Sequence, residues 1–306
     1  MGMDRTDAGR CFLTPLGIPT VIIADDPQLL AAARDAYAAW SAPAPTAGPA
    51  LQIELSGGAR ATPIGFGITV EGSRLSIAGD GFDGWANCET GEGRARVPPR
   101  MADDPRALAA ELIDPLLLFL ATRRDRTPVH AAAFMVGDTA ILLSGPSGSG
   151  KSSLALAASR RGLPLLSDDM VFVQLSPSLR IWGFPRPIHL FERDAPAGRH
   201  PVRVQNGKRK VAVEPGAVAL SADRFLLVLI ERGGALDLGP MAREEARTRL
   251  LRLDPGFDLL EKESIAAIEV LTDRDPWRLT LGRDPDEALD SLIARLEPDE
   301  RPGRQG

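Results

Sequence analysis

Apolar positions along the chain fall into two regimes. In the first hundred residues the apolar runs are short. "IPTVIIA" (18–24) is of strand length, and "DPQLLAAARDAYAAW" (26–40) is rich in helix formers with a proline at its first turn. A Pro/Ala-rich connector, "SAPAPTAGPA" (41–50), follows. After it, "LQIEL", "GFGITVEG" and "SRLSIAG" read as short β-type runs punctuated by Gly and Asp. This pattern predicts a small, β-rich α+β N-terminal domain over residues 1–100. The next stretch, "DPRALAAELIDPLLLFLATRR" (104–124), reads as helical, with a break expected near Pro115. The domain boundary is placed just before it, in "RVPPRMADD".

From Thr127 the apolar pattern tightens. "VHAAAFMVG" and "TAILLS" are strand-like, and Gly137-Asp138 between them is a hairpin signal. "SLALAASRR" (153–161) is a helical run stopped by Gly162, with two arginines in its last turn, where cations suit the helix dipole. "LPLLS" and "MVFVQL" follow as short buried strands. Further strands are expected at "RIWGF", "KVAV", "RFLLVLIE" and "WRLTLG", and helices at 241–252, 259–271 and 286–296. Residues 298–306 read as a loose polar tail. The sequence thus predicts an α/β fold: a mixed-sheet domain over residues 101–297, preceded by the small N-terminal domain.

Composition narrows the class. With 44% hydrophobic and 25% charged residues, the 306-residue chain can bury a real core in one large or two ordinary domains. A net charge of −5 gives no support for a nucleic-acid or general membrane surface, so neither partner is expected. No run approaches the roughly 18 apolar residues of a membrane span. The N-terminus has no apolar segment of the kind that directs secretion. Cys11 and Cys88 are too few for a disulfide scaffold or a four-thiolate metal site, and read as reduced thiols of a cytoplasmic protein.

The chemistry concentrates in "SGPSGSGKS" (144–152). Gly145, Pro146, Ser147, Gly148, Ser149, Gly150, Lys151 and Ser152 fit G-x-x-x-x-G-K-[ST], with Ser153 next, between a strand-like and a helical run. Glycines allow positive φ and let backbone N–H groups converge, and the helix start adds orphan N–H groups and a positive dipole end. In this pattern Lys151 reaches the β- and γ-phosphates of a nucleotide, and the Ser152 hydroxyl ligates Mg²⁺. A plain Gly/Ser turn is the alternative; the complete eight-residue pattern in this context disfavours it.

Asp168 and Asp169 end the apolar strand that follows the helix and Gly162. If that strand runs parallel to "TAILLS", its carboxyl end lies on the phosphate-loop edge. One carboxylate could then hold Mg²⁺ and the other accept a proton from an attacking hydroxyl. Neighbouring side chains on a strand point to opposite faces, so one carboxylate per role is the natural split. A turn closing the strand is the simpler alternative. His130, at the start of the strand before the hairpin, would be returned toward the loop. There it could pair with a carboxylate and orient Asp168.

The order of these residues resembles a known family. A His followed by small residues, a hairpin, "GPSGSGKS", a short helix, "RRG" and an apolar strand ending in "DD" is similar to the catalytic domain of HPr kinase/phosphorylase. That bacterial serine kinase belongs to a phosphoenolpyruvate-carboxykinase-related fold group. The likeness runs from His130 to about Val173 and more loosely to about Leu296. It implies ATP and Mg²⁺ as cofactors, with nucleotide phosphate and metal on Lys151 and Ser152. It further implies Asp168 as general base supported by His130, and Asp169 as metal ligand. The family's Gly-rich substrate signature is not matched: "RIWGFPRPIHLFERDAP" (180–196) stands there instead. The better comparison is with shorter relatives that phosphorylate a serine of a ribosomally made peptide precursor, including lasso peptides.

Two basic stretches could complete such a site. Lys208 and Lys210 in "NGKRKVAV" share one strand face and could clamp developing phosphoryl charge or bind an acceptor, or could simply be solvated. Arg186 and His189 are acceptor contacts or ordinary surface. The overall expectation is a kinase acting on a serine hydroxyl of a peptide or small protein; a homo-oligomer is compatible with it. The alternatives are a kinase of a small metabolite such as free serine, a non-catalytic nucleotide-binding module and a carboxykinase-like enzyme.

Overall fold

The computed structural model describes residues 9–58, 65–192, 202–205, 208–253 and 261–296. The chain divides into two compact units, Met1–Arg126 and Thr127–Gly306.

The first unit is built on strands β1 (Arg10–Leu13), β2 (Thr20–Ala24), β3 (Leu51–Gly57), β4 (Gly67–Glu71), β5 (Arg74–Ala78), β6 (Asp83–Asn87) and β7 (Glu92–Val97). They form one sheet in the order β1-β2-β3-β7-β6-β5-β4. Helices α1 (Pro27–Ala36), α2 (Pro105–Leu108) and α3 (Asp114–Thr122) belong to this unit. Period-two alternation buries Leu51, Ile53 and Leu55 of β3 on one face of the sheet.

The helical stretch expected to open the second domain therefore belongs to the first, and the division falls after Arg126 rather than before Met101. Leu116, Leu117 and Leu120 of α3 are buried, α3 packs on β3, β6 and β7, and the Tyr37 hydroxyl hydrogen-bonds the Asp114 carboxylate. Pro115 does not break the helix. A π-type turn, Ala109–Ile113, precedes it, and the proline takes the first turn of α3, where its missing N–H is tolerated.

The second unit contains β8 (Thr127–Val129), β9 (Ala132–Val136), β10 (Thr139–Ser144), α4 (Lys151–Arg160), β11 (Leu165–Ser167), β12 (Val171–Gln174), β13 (Arg180–Trp182) and β14 (Ile188–Phe191). It continues with β15 (Val202–Gln205), β16 (Lys208–Val213), β17 (Ser221–Ala222), β18 (Arg224–Arg232), β19 (Asp237–Pro240), α5 (Arg243–Leu253), α6 (Glu261–Thr272), β20 (Trp277–Leu281) and α7 (Pro285–Leu296). The central mixed sheet has the order β11-β9-β10-β18-β20-β19, flanked by sheets β17-β13-β12-β8 and β14-β16-β15.

β10 explains the layering. Ile141 and Leu143 face a core shared with α4, α7, β14 and β16, while Ala140 and Leu142 face a second core with α5, α6 and β12. A strand buried on both faces needs a continuous apolar run, which is what "AILL" supplies. β9 and β10 form the expected two-residue hairpin, with Thr139 opposite Val136. Among the described residues no helix is long and apolar enough to cross a membrane. The expected polar tail 298–306 and the Asn206-Gly207 turn lie outside the described residues.

Candidate active site

The phosphate-loop pattern sits where β10 hands over to α4. Glycine is required at 145 by space, and at 150 by space and backbone conformation together. A Cβ on Gly145 would lie 2.5 Å from the Ile230 carbonyl oxygen. Gly150 has φ +113°, and a Cβ there would run into Leu281 Cδ2. Lys151, at the first turn of α4, is buried and folds back over the loop, donating to Gly145 O at 2.6 Å and Pro146 O at 3.3 Å. Burial lowers its pKa, while the charges of Asp169 and Asp168 pull it back up. α4 ends at Gly162, with φ +78°, through paired bonds from Gly162 N–H to Ser159 O and Leu163 N–H to Ala158 O.

That stop returns the chain to β11. β11 runs antiparallel to β9, and β9 antiparallel to β10, so β11 points the same way as β10 with β9 between them. Its carboxyl end therefore lies on the phosphate-loop edge. The acid pair follows, and the two residues have opposite surroundings. Asp168 is buried; its Oδ2 accepts the His189 backbone N–H at 2.8 Å, while Oδ1 is sealed from solvent with no hydrogen-bond partner among the described residues. Burial raises its pKa to about 6 against the lowering effects of His189 N–H, the Ser152 hydroxyl and Lys210. Asp169 is 77% exposed, and its Oδ1 stands 3.4 Å from His130 Nδ1.

His130 is held in place through its backbone, whose carbonyl accepts the Ser144 hydroxyl at 2.9 Å, at the end of β10. It does reach the loop, but the pairing differs from the sequence expectation. His130 meets Asp169, not Asp168, because Asp168 turns inward to the start of β14 and Asp169 outward.

A cleft of about 140 Å³ joins these groups. His130, Ser147, Gly148, Gly150, Lys151, Ser152, Ser153 and Asp169 line it, whereas Gly145, Pro146, Ser149 and Asp168 do not. β14 and β16 form the facing wall. Phe191 is opposite Lys210 in their register, and His189, Phe191 and Lys210 line the cleft while Ile188 and Val211 are buried in the core. Of the remaining sequence candidates, Arg186 is not in the cleft; its guanidinium stacks 4.8 Å from the Phe184 ring centroid. Lys208 opens β16, and its side chain lies outside the described residues.

Among the described residues Arg232 is the charged cleft residue that sequence reasoning missed, beside the apolar Leu190 and Phe191. It ends β18, which pairs parallel to β10 with Ser144 opposite Leu229. A charged residue ending an apolar strand beside the phosphate-loop strand was the available signal.

No family model matches the chain. A 90-residue stretch is 34% identical to the HPr kinase/phosphorylase of Streptococcus pneumoniae strain Hungary19A-6, covering 28% of this chain and 29% of that protein. The same identity and coverage hold for the protein of that name from S. pneumoniae strain ATCC 700669. This chain carries an HPr-kinase-like segment. The match spans 29% of the length of these curated relatives. Among solved structures, the Hpr(Ser) kinase/phosphatase from Coxiella burnetii aligns over 55% of this chain and 94% of that one, with 14% identity and a TM-score of 0.30.

The oxygen donors at this site are of the kind that suits Mg²⁺. Among the described residues no three His, Cys, Asp or Glu side chains converge as a metal cage. Mg²⁺ does not need one, since it takes one or two carboxylates and completes its shell with water and substrate phosphates. The unpartnered Oδ1 of Asp168, on a carboxylate that also feels the Ser152 hydroxyl, is the feature that fits such an ion.

Proposed function

We propose that this chain is an ATP- and Mg²⁺-dependent phosphotransferase that phosphorylates a serine hydroxyl of a peptide or small protein. The proposal assigns the two carboxylates roles opposite to those implied by the family resemblance. The observation that carries it is the split between them: Asp169 exposed in the cleft beside His130, and Asp168 buried behind Ser152.

In this reading the amides of Gly148 to Ser152 and the α4 N-terminus cradle the nucleotide phosphates. Lys151 leaves the loop carbonyls of Gly145 and Pro146 for phosphate oxygens, keeping its charge through the nearby acid pair. Ser152 and Asp168 hold Mg²⁺, which when bound neutralises charge on the phosphate oxygens. Asp169 accepts the proton of the acceptor serine as its oxygen attacks the terminal phosphorus and ADP departs. His130 orients Asp169. Lys210 and His189 face the same cleft from the β14–β16 wall and contact the acceptor or the transferring group.

The test is intact-mass measurement of serine-containing peptides after incubation with Mg·ATP, for wild type, Lys151→Ala, Asp168→Asn and Asp169→Asn. Wild type should add one phosphate and all three variants should not. Acceptor-independent ATP hydrolysis alone, or transfer only to a free amino acid, would overturn the peptide-kinase reading.

A further inference from the structure

β18 ends in two charged residues with opposite commitments. Glu231 accepts from Arg249 Nη1 at 2.7 Å and from the Thr280 hydroxyl at 3.3 Å. Arg232, on the other face of the strand, turns to the phosphate loop and donates Nε–H to Gly148 O at 2.6 Å. Arg161, Arg224, Arg243 and Arg249 of the same unit each hold a carboxylate, whereas Arg232 makes no ion pair among the described residues. Its positive charge therefore stands in the cleft with Lys151, without an ion-pair partner among the described residues.

We propose that Arg232 is a second phosphate-contacting cation of this site. It rests on the nucleotide reading of the same loop. A guanidinium that spends Nε–H on the Gly148 carbonyl keeps its terminal N–H groups for phosphate oxygens, whose geometry they match. The need is electrostatic. A Mg·triphosphate remains anionic after Lys151 is counted, and it enters a cleft that already contains the exposed carboxylate of Asp169. Arg232 supplies the missing charge from the strand next to the loop strand, while its Nε fixes the apex where φ of Gly148 is +82°.

Calorimetric titration of the full chain with Mg·ATP and with Mg·tripolyphosphate tests this, using Arg232→Gln, Arg232→Lys and Arg232→Ala. Glutamine can still donate to the Gly148 carbonyl but carries no charge; lysine keeps the charge. Arg232→Gln and Arg232→Ala should weaken both ligands by about 10- to 100-fold, the range of a charge-assisted hydrogen bond. Arg232→Lys should recover most of the loss, with unliganded melting temperatures unchanged. The proposal is overturned if Arg232→Gln binds both ligands as tightly as wild type, which would leave Arg232 a brace for Gly148 only. Wild type binding neither ligand would remove the nucleotide reading and this proposal together; wild type binding both with Arg232→Gln unaffected removes this proposal alone.

Discussion

His130 Nδ1 lies 3.4 Å from Asp169 Oδ1, while Asp168, its immediate neighbour, is turned inward onto the backbone N–H of His189. One peptide bond separates an exposed carboxylate that lines the cleft from a buried one that does not. Both residues sit in the bend that follows β11, and it is this bend that turns one carboxylate inward and the other outward. Which member faced the cleft was the open question, and it sets the first prediction. Asp169→Asn should lower kcat by roughly 10²–10⁴-fold with Mg·ATP affinity nearly unchanged. Asp168→Asn should weaken Mg²⁺-dependent nucleotide binding instead. Rapid-quench kinetics beside calorimetry separates the two; the reverse pattern would restore Asp168 as the base.

His130→Ala should leave nucleotide affinity near wild type and reduce kcat by at least about tenfold, a partial loss because Asp169 remains. Full activity in this variant would show that the imidazole does not serve the carboxylate.

The buried Asp168 makes stability depend on pH. Its folded pKa is about 6, above the ordinary value of 3.8, so the folded protein holds the proton more tightly than the unfolded chain. That contribution is complete below about pH 4 and is lost as pH rises through about 6, a change on the order of 3 kcal/mol. Asp168→Asn cannot lose it. Denaturant unfolding of metal-free protein should find the asparagine variant similar to wild type at pH 4 and more stable at pH 8. Parallel curves across that range would contradict the burial of the carboxylate.

Gly150→Ala combines a φ of +113° with a collision against Leu281. Destabilisation of roughly 1–3 kcal/mol is expected, together with loss of nucleotide binding, since the loop must shift to relieve both. A variant that binds Mg·ATP normally would mean that the loop accommodates a side chain there.

Lys210→Ala removes a cation opposite Phe191 on the cleft wall. Acceptor KM or kcat should worsen by about tenfold or more with nucleotide affinity retained, by analogy with the loss of one charge-assisted contact. Equal loss of ATP binding would place Lys210 on the nucleotide side instead.

Much of this architecture was legible because it is written locally. The run "AILL" within β10 is apolar without interruption since β10 is buried on both faces, and the helix after the loop stops at Gly162 because only a residue tolerant of positive φ closes it that way. The hairpin at Gly137-Asp138 was equally direct. The helicity of 104–124 is legible in the sequence but the unit it joins is not, because helicity is a local property and the surface a helix buries against is not.

The sequence alone determined the Gly-rich G-x-x-x-x-G-K-S stretch, the order strand–loop–helix–strand and an acid pair directly after the next strand, since spacing and backbone permissiveness fix these; the pairing of β11 and β10 with β9 put that pair on the loop edge. Tertiary structure decided which aspartate meets His130, that Lys210 and His189 reach the cleft while Arg186 does not, and that Arg232 arrives from a strand eighty-four residues past Gly148. Those choices depend on side-chain direction and on strand neighbours distant along the chain, which no local pattern encodes.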